Sequence, residues 1–479
     1  MLRHRAQCLF CAALLLTVLA VYSNHFHNEF HFDDFHTIVN NPEIAKPANI
    51  PRFFLDPKLF SSNPKGDLWR PVVSVSLAID YWLGRGLKLF YFHLSTFIWF
   101  EVQLILMFLL YRRIMDAAEP HRWNGWVALA AVACYGLHPV SAETVNYVIQ
   151  RGDLYDTLGV VAGLLCFAAF PKQRKYGWYL VPVAAAYLSK PPALVFPLIL
   201  LAYVLLIEWR PFRQAVRATL PAFALTAIAA VLTAKMTPDT YNPGADSPSL
   251  YRLTQPWVTL RYFRCFFFPN DLSADSDWTY VPGAFSLHAV AGYVFVAALL
   301  ALAWRTSRRR ETAPIAFGVI GFIVALLPTA LLPLADVTND HRMFFPFAGL
   351  TLAVAWSVRL ALVRLSRPAV TRAAVAGLIA VLAIAAWGTR QRNKVWHTEE
   401  SFWHDVTVKS PKNSRGLLNY GVTLYEARNY AGALHYFQLA AKYRQPDANL
   451  EDSLASAYEA LGRKAEAEAH RRRARELEE

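Results

Sequence analysis

Long apolar runs dominate this chain and restrict it to helices that cross a lipid bilayer. A crossing needs about 20 apolar residues, sometimes 17, and must satisfy its own backbone polar groups. Eleven runs qualify or come close, at roughly 7–23, 88–111, 124–138, 154–170, 177–189, 192–208, 217–235, 287–304, 313–333, 344–364 and 370–388. The run at 177–189 is the shortest. The expected fold class is therefore all-α, a polytopic membrane helix bundle of about eleven spans over residues 1–388. Charged residues make up 17% of the chain, against about 25% for a soluble domain.

The net charge of +13 does not imply a nucleic-acid partner. Its basic residues sit in short runs between apolar segments: Arg112-Arg113, Lys172 to Lys175, and Arg305 with Arg308-Arg309-Arg310. The alternate loops hold only Arg151, Lys190, Arg252 and Arg342 among their short connections. That asymmetry predicts a cytoplasmic N-terminus. The long loop at 24–87 and everything after residue 388 then face the extracytoplasmic side. The first run lacks a small-x-small cleavage site near residue 23, so it is expected to stay as an anchor. The segment 256–269 is apolar but short, and carries Arg261 and Arg264. It reads as an interfacial or re-entrant helix presenting two arginines at headgroup level. The five cysteines all lie in apolar segments, with no spacing that suggests disulfides or zinc.

From about 389 the composition changes. An offset of 34 relates Gly421 to Ala455, Leu424 to Tyr458, Ala433 to Ala467 and Ala440 to Ala474, and Trp403 to Phe437. Small residues at that period let paired helices approach closely, the pattern of tetratricopeptide repeats. Residues 389–479 are read as about two and a half such hairpins, leaning on the membrane domain or on a partner.

Within the first loop, Phe32-Asp33-Asp34-Phe35 places two acids just after the first span. Carboxylates at a membrane surface are costly to desolvate. One could act as a general base, or two could share a divalent metal. Equally, the pair could form an Asx turn or cap the segment that follows. The other outward loops add Arg70, His138, Glu143, Arg151, Asp153, Lys190, His341 and Arg342. Four cations around an acid pair suit a sugar carried on a lipid phosphate. Arg70, Arg151, Lys190 and Arg342 would hold the anion, and a carboxylate would take the proton of an attacking hydroxyl. His138, Glu143, Asp153 and His341 would support them.

Several segments together resemble one family. They are Asn24-His25 through Phe32-Asp33-Asp34, Asn40-Asn41-Pro42-Glu43-Ile44, Trp69-Arg70-Pro71-Val72 and Tyr91-Phe92-His93-Leu94. His138-Pro139-Val140 with Glu143, Arg151-Gly152-Asp153-Leu154 and Leu188-Ser189-Lys190 follow in order. Thr254-Gln255-Pro256 to Phe268-Pro269, His341-Arg342-Met343-Phe344 and the closing repeats complete the set. In that order they are similar to the transmembrane and tetratricopeptide-repeat O-mannosyltransferases. The resemblance implies a GT-C-like, inverting glycosyltransferase with a polyprenyl-phosphate sugar donor and a Ser/Thr hydroxyl acceptor held by the repeats. It also implies that Asp33 or Asp34 is the base, Asp33 first. Pro191-Pro192 stands where the family commonly has an acid after Ser-Lys, and Asp340-His341 where it commonly has Glu before the arginine. The short repeat array points to a bacterial inner-membrane member. Two alternatives use fewer of these features: a transporter or flippase of lipid-linked anions, which needs the cations but no base, and a membrane-anchored repeat scaffold.

Overall fold

A computed structural model describes residues 2–63, 68–238 and 244–478, with the side chains of residues 2–4 excepted. The part of the first loop at 64–67, and Arg3 in the N-terminal charge pattern, lie outside what is described. Among the described residues no strand forms, and all regular structure is helical. One isolated bridge pairs Gly244 with Leu334.

Every expected crossing contains a helix. Among the described residues, eight helices are long and apolar enough to span a membrane: α1 (Leu2–Val21), α3 (Leu89–Ala118), α6 (Arg151–Ala169), α9 (Phe212–Met236), α11 (Leu287–Thr306), α12 (Ala313–Leu331), α13 (Phe344–Leu365) and α14 (Pro368–Val395). The other three expected spans hold shorter helices: α4 (Asn124–Gly136), α7 (Leu180–Tyr187) and α8 (Phe196–Leu206). Pro191-Pro192 and the 3-10 turn they open shorten α8, and Gly177 ends the turn ahead of α7. Two more helices, α2 (Pro71–Gly84) and α5 (Ser141–Asn146), lie in the loops at the candidate site.

Small residues set the closest helix contacts. A Cβ on Gly318 would sit 2.4 Å from the Gly349 carbonyl, so α12 and α13 meet backbone to backbone. Gly159 does the same for α6 against α7, where a Cβ would meet the Pro182 carbonyl at 2.4 Å.

Helix α10 (Pro248–Phe267) covers the expected interfacial segment and extends it by two turns toward its N-terminus. One expectation fails here. Arg261 is not presented at the surface. It is buried and donates to Thr338 Oγ1 at 3.0 Å and Asp340 Oδ1 at 3.1 Å. An arginine in an apolar helix is pulled inward when a carboxylate awaits it. Arg264 does stay exposed, paired with Asp271.

The tail is five helices: α15 (Glu399–Lys409), α16 (Ser414–Glu426), α17 (Tyr430–Ala441), α18 (Ala448–Ala460) and α19 (Lys464–Glu478). Ala433, Ala440, Ala455, Ala467 and Ala474 of the 34-residue pattern are all buried. A Cβ on Gly421 would lie 2.5 Å from the Phe437 ring, so close approach needs glycine there. Helices α16 to α19 share a small core of their own, from Leu417 to Ala467. Trp396, Phe402, Trp403 and Val406 instead belong to the main core of the membrane part. The compositional boundary near 389 falls inside α14, which runs unbroken to Val395.

Candidate active site

The expected site residues gather where the first loop, α5, the start of α6, the 190 turn and the 336–343 segment meet. An asparagine cluster ties these pieces together. Asn146 Oδ1 accepts from Asn28 Nδ2 at 2.5 Å and lies 3.1 Å from His25 Nδ1. Its amide donates to Asn393 Oδ1 at 2.7 Å, and Asn28 donates to the Asn393 carbonyl at 2.9 Å. Buried amides that satisfy one another fix a loop as firmly as packing does. No sequence signal marked this cluster beyond the asparagines of the quoted first-loop segment.

The acid pair is divided by its surroundings. Asp34 is fully buried. Its Oδ1 accepts the Ile149 backbone N–H at 2.8 Å and its Oδ2 the His31 N–H at 3.2 Å. Burial pushes its carboxyl up to about 7, against the pull of those two N–H groups. Asp34 thus clamps the first loop to the turn before α6. Asp33 is different: its side chain is 57% exposed. Its Oδ1 lies 3.2 Å from His36 Nε2, and His36 Nδ1 is 2.8 Å from Ser61 Oγ. The Asp33 N–H donates to the Tyr147 hydroxyl at 2.9 Å. Desolvation pushes its carboxyl up, but His36, Tyr147 and the charge of Arg70 outweigh that and hold it below the ordinary value. The result is an ionised, accessible carboxylate beside a deeply buried one. Phe35 to Val39 wind as a π-helical turn directly after the pair, a feature common at functional sites. Asp34's oxygens are occupied by backbone donors, which disfavours a metal shared by the two acids. Among the described residues no three His, Cys, Asp or Glu groups are placed to hold a metal ion.

A cavity of about 170 Å³ opens beside Arg70. Arg70, Lys190, Arg342, His341, Asp153 and Gln150 supply its polar wall, and Ala325, Leu334, Phe345 and Pro346 its apolar one. Three of the four expected cations therefore share one cavity. Lys190 is neutralised, with its Nζ 2.6 Å from both Asp153 Oδ2 and Gln150 Oε1. Among the described residues Arg342 donates to neutral acceptors only, the Asp336 carbonyl at 3.0 Å and the Tyr251 hydroxyl at 3.4 Å. Arg70 lies over the Phe60 ring at 5.6 Å and has no carboxylate partner among the described residues. Two guanidinium groups without a carboxylate partner among the described residues share one recess, a charge arrangement that suits an anion. On its wall His341 Nδ1 is 2.7 Å from Glu143 Oε1.

Two expected residues lie elsewhere. Arg151 is fully buried outside the cavity lining, 2.5 Å from Asp80 Oδ2, and donates to the Phe92 carbonyl at 2.8 Å and the Val148 carbonyl at 3.1 Å. It has no free N–H face for a phosphate, because Asp80, which sequence reasoning passed over, already claims it. His138 stacks on Phe266 and lies 3.1 Å from the Phe266 carbonyl.

Curated proteins show partial sequence similarity to this chain. Over 332 residues, 63% of this chain, it is 24% identical to "Protein O-mannosyl-transferase Tmtc2" of Drosophila melanogaster. The chain is similar in sequence to protein O-mannosyl-transferases. Identity to the Drosophila melanogaster "Protein O-mannosyl-transferase Tmtc1" is 28% over 180 residues, 37% of this chain. With the Mus musculus "Protein O-mannosyl-transferase TMTC1" it is 25% over 162 residues, 33% of this chain. These matches span 34%, 20% and 16% of the relatives' own lengths, so the chain covers about a third of them or less. No family model matches the chain.

Proposed function

We propose that the protein is a membrane glycosyltransferase that moves a sugar, mannose or another hexose, from a polyprenyl-phosphate donor to a Ser or Thr hydroxyl of a polypeptide. The observation that carries this reading is that Arg70 and Arg342, neither with a carboxylate partner among the described residues, share one cavity, and that the charge of Arg70 acts on the ionised Asp33. The relatives' names supply the reaction class.

Arg70, Arg342 and Lys190 hold the donor phosphate, and the apolar wall accepts the start of the prenyl chain. The acceptor oxygen attacks the anomeric carbon while its proton passes to Asp33. The bond from that carbon to the phosphate oxygen breaks, and polyprenyl phosphate leaves with both electrons. A single displacement inverts the anomeric centre. Arg70 and Arg342 stabilise the charge that develops on the departing oxygen. Residues 1–388 carry donor and chemistry, and residues 389–479, as tetratricopeptide-like hairpins, present the acceptor. The site end faces the extracytoplasmic side of the membrane, with the N-terminus in the cytoplasm.

The test is purified protein in nanodiscs, given a panel of undecaprenyl-phosphate sugars and a Ser/Thr-rich peptide, with transfer read by mass spectrometry. One donor should give glycosylated peptide, and Asp33→Asn should abolish it. Donor movement between leaflets without transfer, unchanged in Asp33→Asn, would replace the transferase with a flippase.

A further inference from the structure

The proposed base is held in place by the tail. Phe32, directly before Asp33, has a φ of +50°. A bulky aromatic residue is strained there, and persists only where its surroundings over-determine it. Those surroundings come largely from beyond residue 395. The Phe402 ring meets Phe32 edge-on at 5.1 Å, the Trp403 ring at 4.9 Å, and the Arg415 guanidinium lies 5.4 Å above it. Tyr147 supplies the remaining contact, tilted at 6.0 Å. His31, one residue earlier, is likewise fastened to the tail. Its Nδ1 is 2.5 Å from Glu399 Oε1, its Nε2 is 2.7 Å from the Trp396 carbonyl, and its ring stacks on Phe402 at 4.8 Å.

Arg415 also reaches the other half of the site. Its fork grips buried Asp275, Nε to Oδ2 at 2.7 Å and Nη2 to Oδ1 at 2.8 Å. The same Nη2 donates to Asp336 Oδ1 at 3.1 Å. Asp336 is the residue whose backbone carbonyl receives Arg342. One tail side chain therefore touches the residue before the base and the residue that anchors a cavity arginine. We propose that Arg415 is a positioning residue for the transfer, locking Phe32 and Asp336 so that Asp33 and Arg342 stay aligned across the donor. On this reading the tail is a structural part of the active site as well as a surface for acceptors. The inference rests on Asp33 and Arg342 having the roles proposed above.

The experiment compares full-length wild type, Arg415→Gln and Arg415→Lys in nanodiscs by amide hydrogen exchange and by steady-state transfer. Loss of the fork should speed exchange across 31–37 by about tenfold, the loss of one net charged hydrogen bond of ordering. Exchange in α17 to α19 should stay at the wild-type level and report an intact fold. The kcat should fall about tenfold or more, while lysine restores part of both effects. Unchanged exchange over 31–37 in folded Arg415→Gln would overturn the proposal. Should Arg415→Gln not fold, Arg415→Lys decides by the same criterion. A wild-type chain without transfer on any donor removes the proposed reaction. The exchange measurement still decides the positioning.

Discussion

Asparagine in place of each acid separates a rate effect from a stability effect. At Asp33 the substitution removes the charge and leaves an amide oxygen that can still face His36. The side chain is 57% exposed and its contact with His36 is peripheral, so melting should move little. Transfer should fall by about 10²–10⁴-fold, the usual worth of a general base. At Asp34 both oxygens accept buried backbone N–H groups. An asparagine turns one acceptor into a donor facing a donor, which costs about 1–3 kcal/mol. Activity per folded molecule should survive better than in Asp33→Asn. Protonation gives an independent check. The Asp34 carboxyl moves from 3.8 to about 7 on folding. The folded state therefore binds more protons between those values, and stability from this group falls as pH rises through that window. Wild type should melt higher at pH 5.5 than at pH 7.5 by more than Asp34→Asn does. The assay is initial rate against donor concentration, with melting followed at both pH values. Wild-type turnover in Asp33→Asn would refute the assignment of the base, and equal pH slopes in wild type and Asp34→Asn would refute the burial argument.

Arg70→Ala and Arg342→Ala should each raise the donor KM by about tenfold or more, because a charge-assisted contact to phosphate is worth about 1.5–3 kcal/mol; donor titrations measure this. Arg151→Ala should act on stability instead. It strands buried Asp80, a loss of about 3–5 kcal/mol, and thermal melting should show a large drop that Asp80→Asn in the same chain partly reverses. Gly318→Leu should separate α12 from α13, since even a Cβ there would overlap the Gly349 carbonyl at 2.4 Å. The expected outcome is a lower melting point and a weakened donor site, read together by melting and donor titration.

Length and apolarity were enough to place a helix at every expected crossing, because a helix in lipid closes its own hydrogen bonds and needs no distant partner. The same holds for the buried alanines of the tail, whose spacing of 34 survives as a packing rule. Loop chemistry was legible as a list of residues: Arg70, Lys190, Arg342, His341 and Asp153 were all selected, and all reach one cavity. Their pairing was not legible. Arg151 and Lys190 look alike in the sequence, yet Asp80, some 70 residues away, withdraws the first while the second remains on the cavity wall. Asp33 and Asp34 are adjacent and chemically identical. Only the fold decides that one oxygen pair meets the Ile149 and His31 amides while the other faces solvent. Arg415 carried no sequence signal at all, because its importance lies in three partners drawn from three separate loops. Local pattern fixes what each segment can be, whereas the charge state and the role of a polar group depend on neighbours that only tertiary contact brings within a few ångströms.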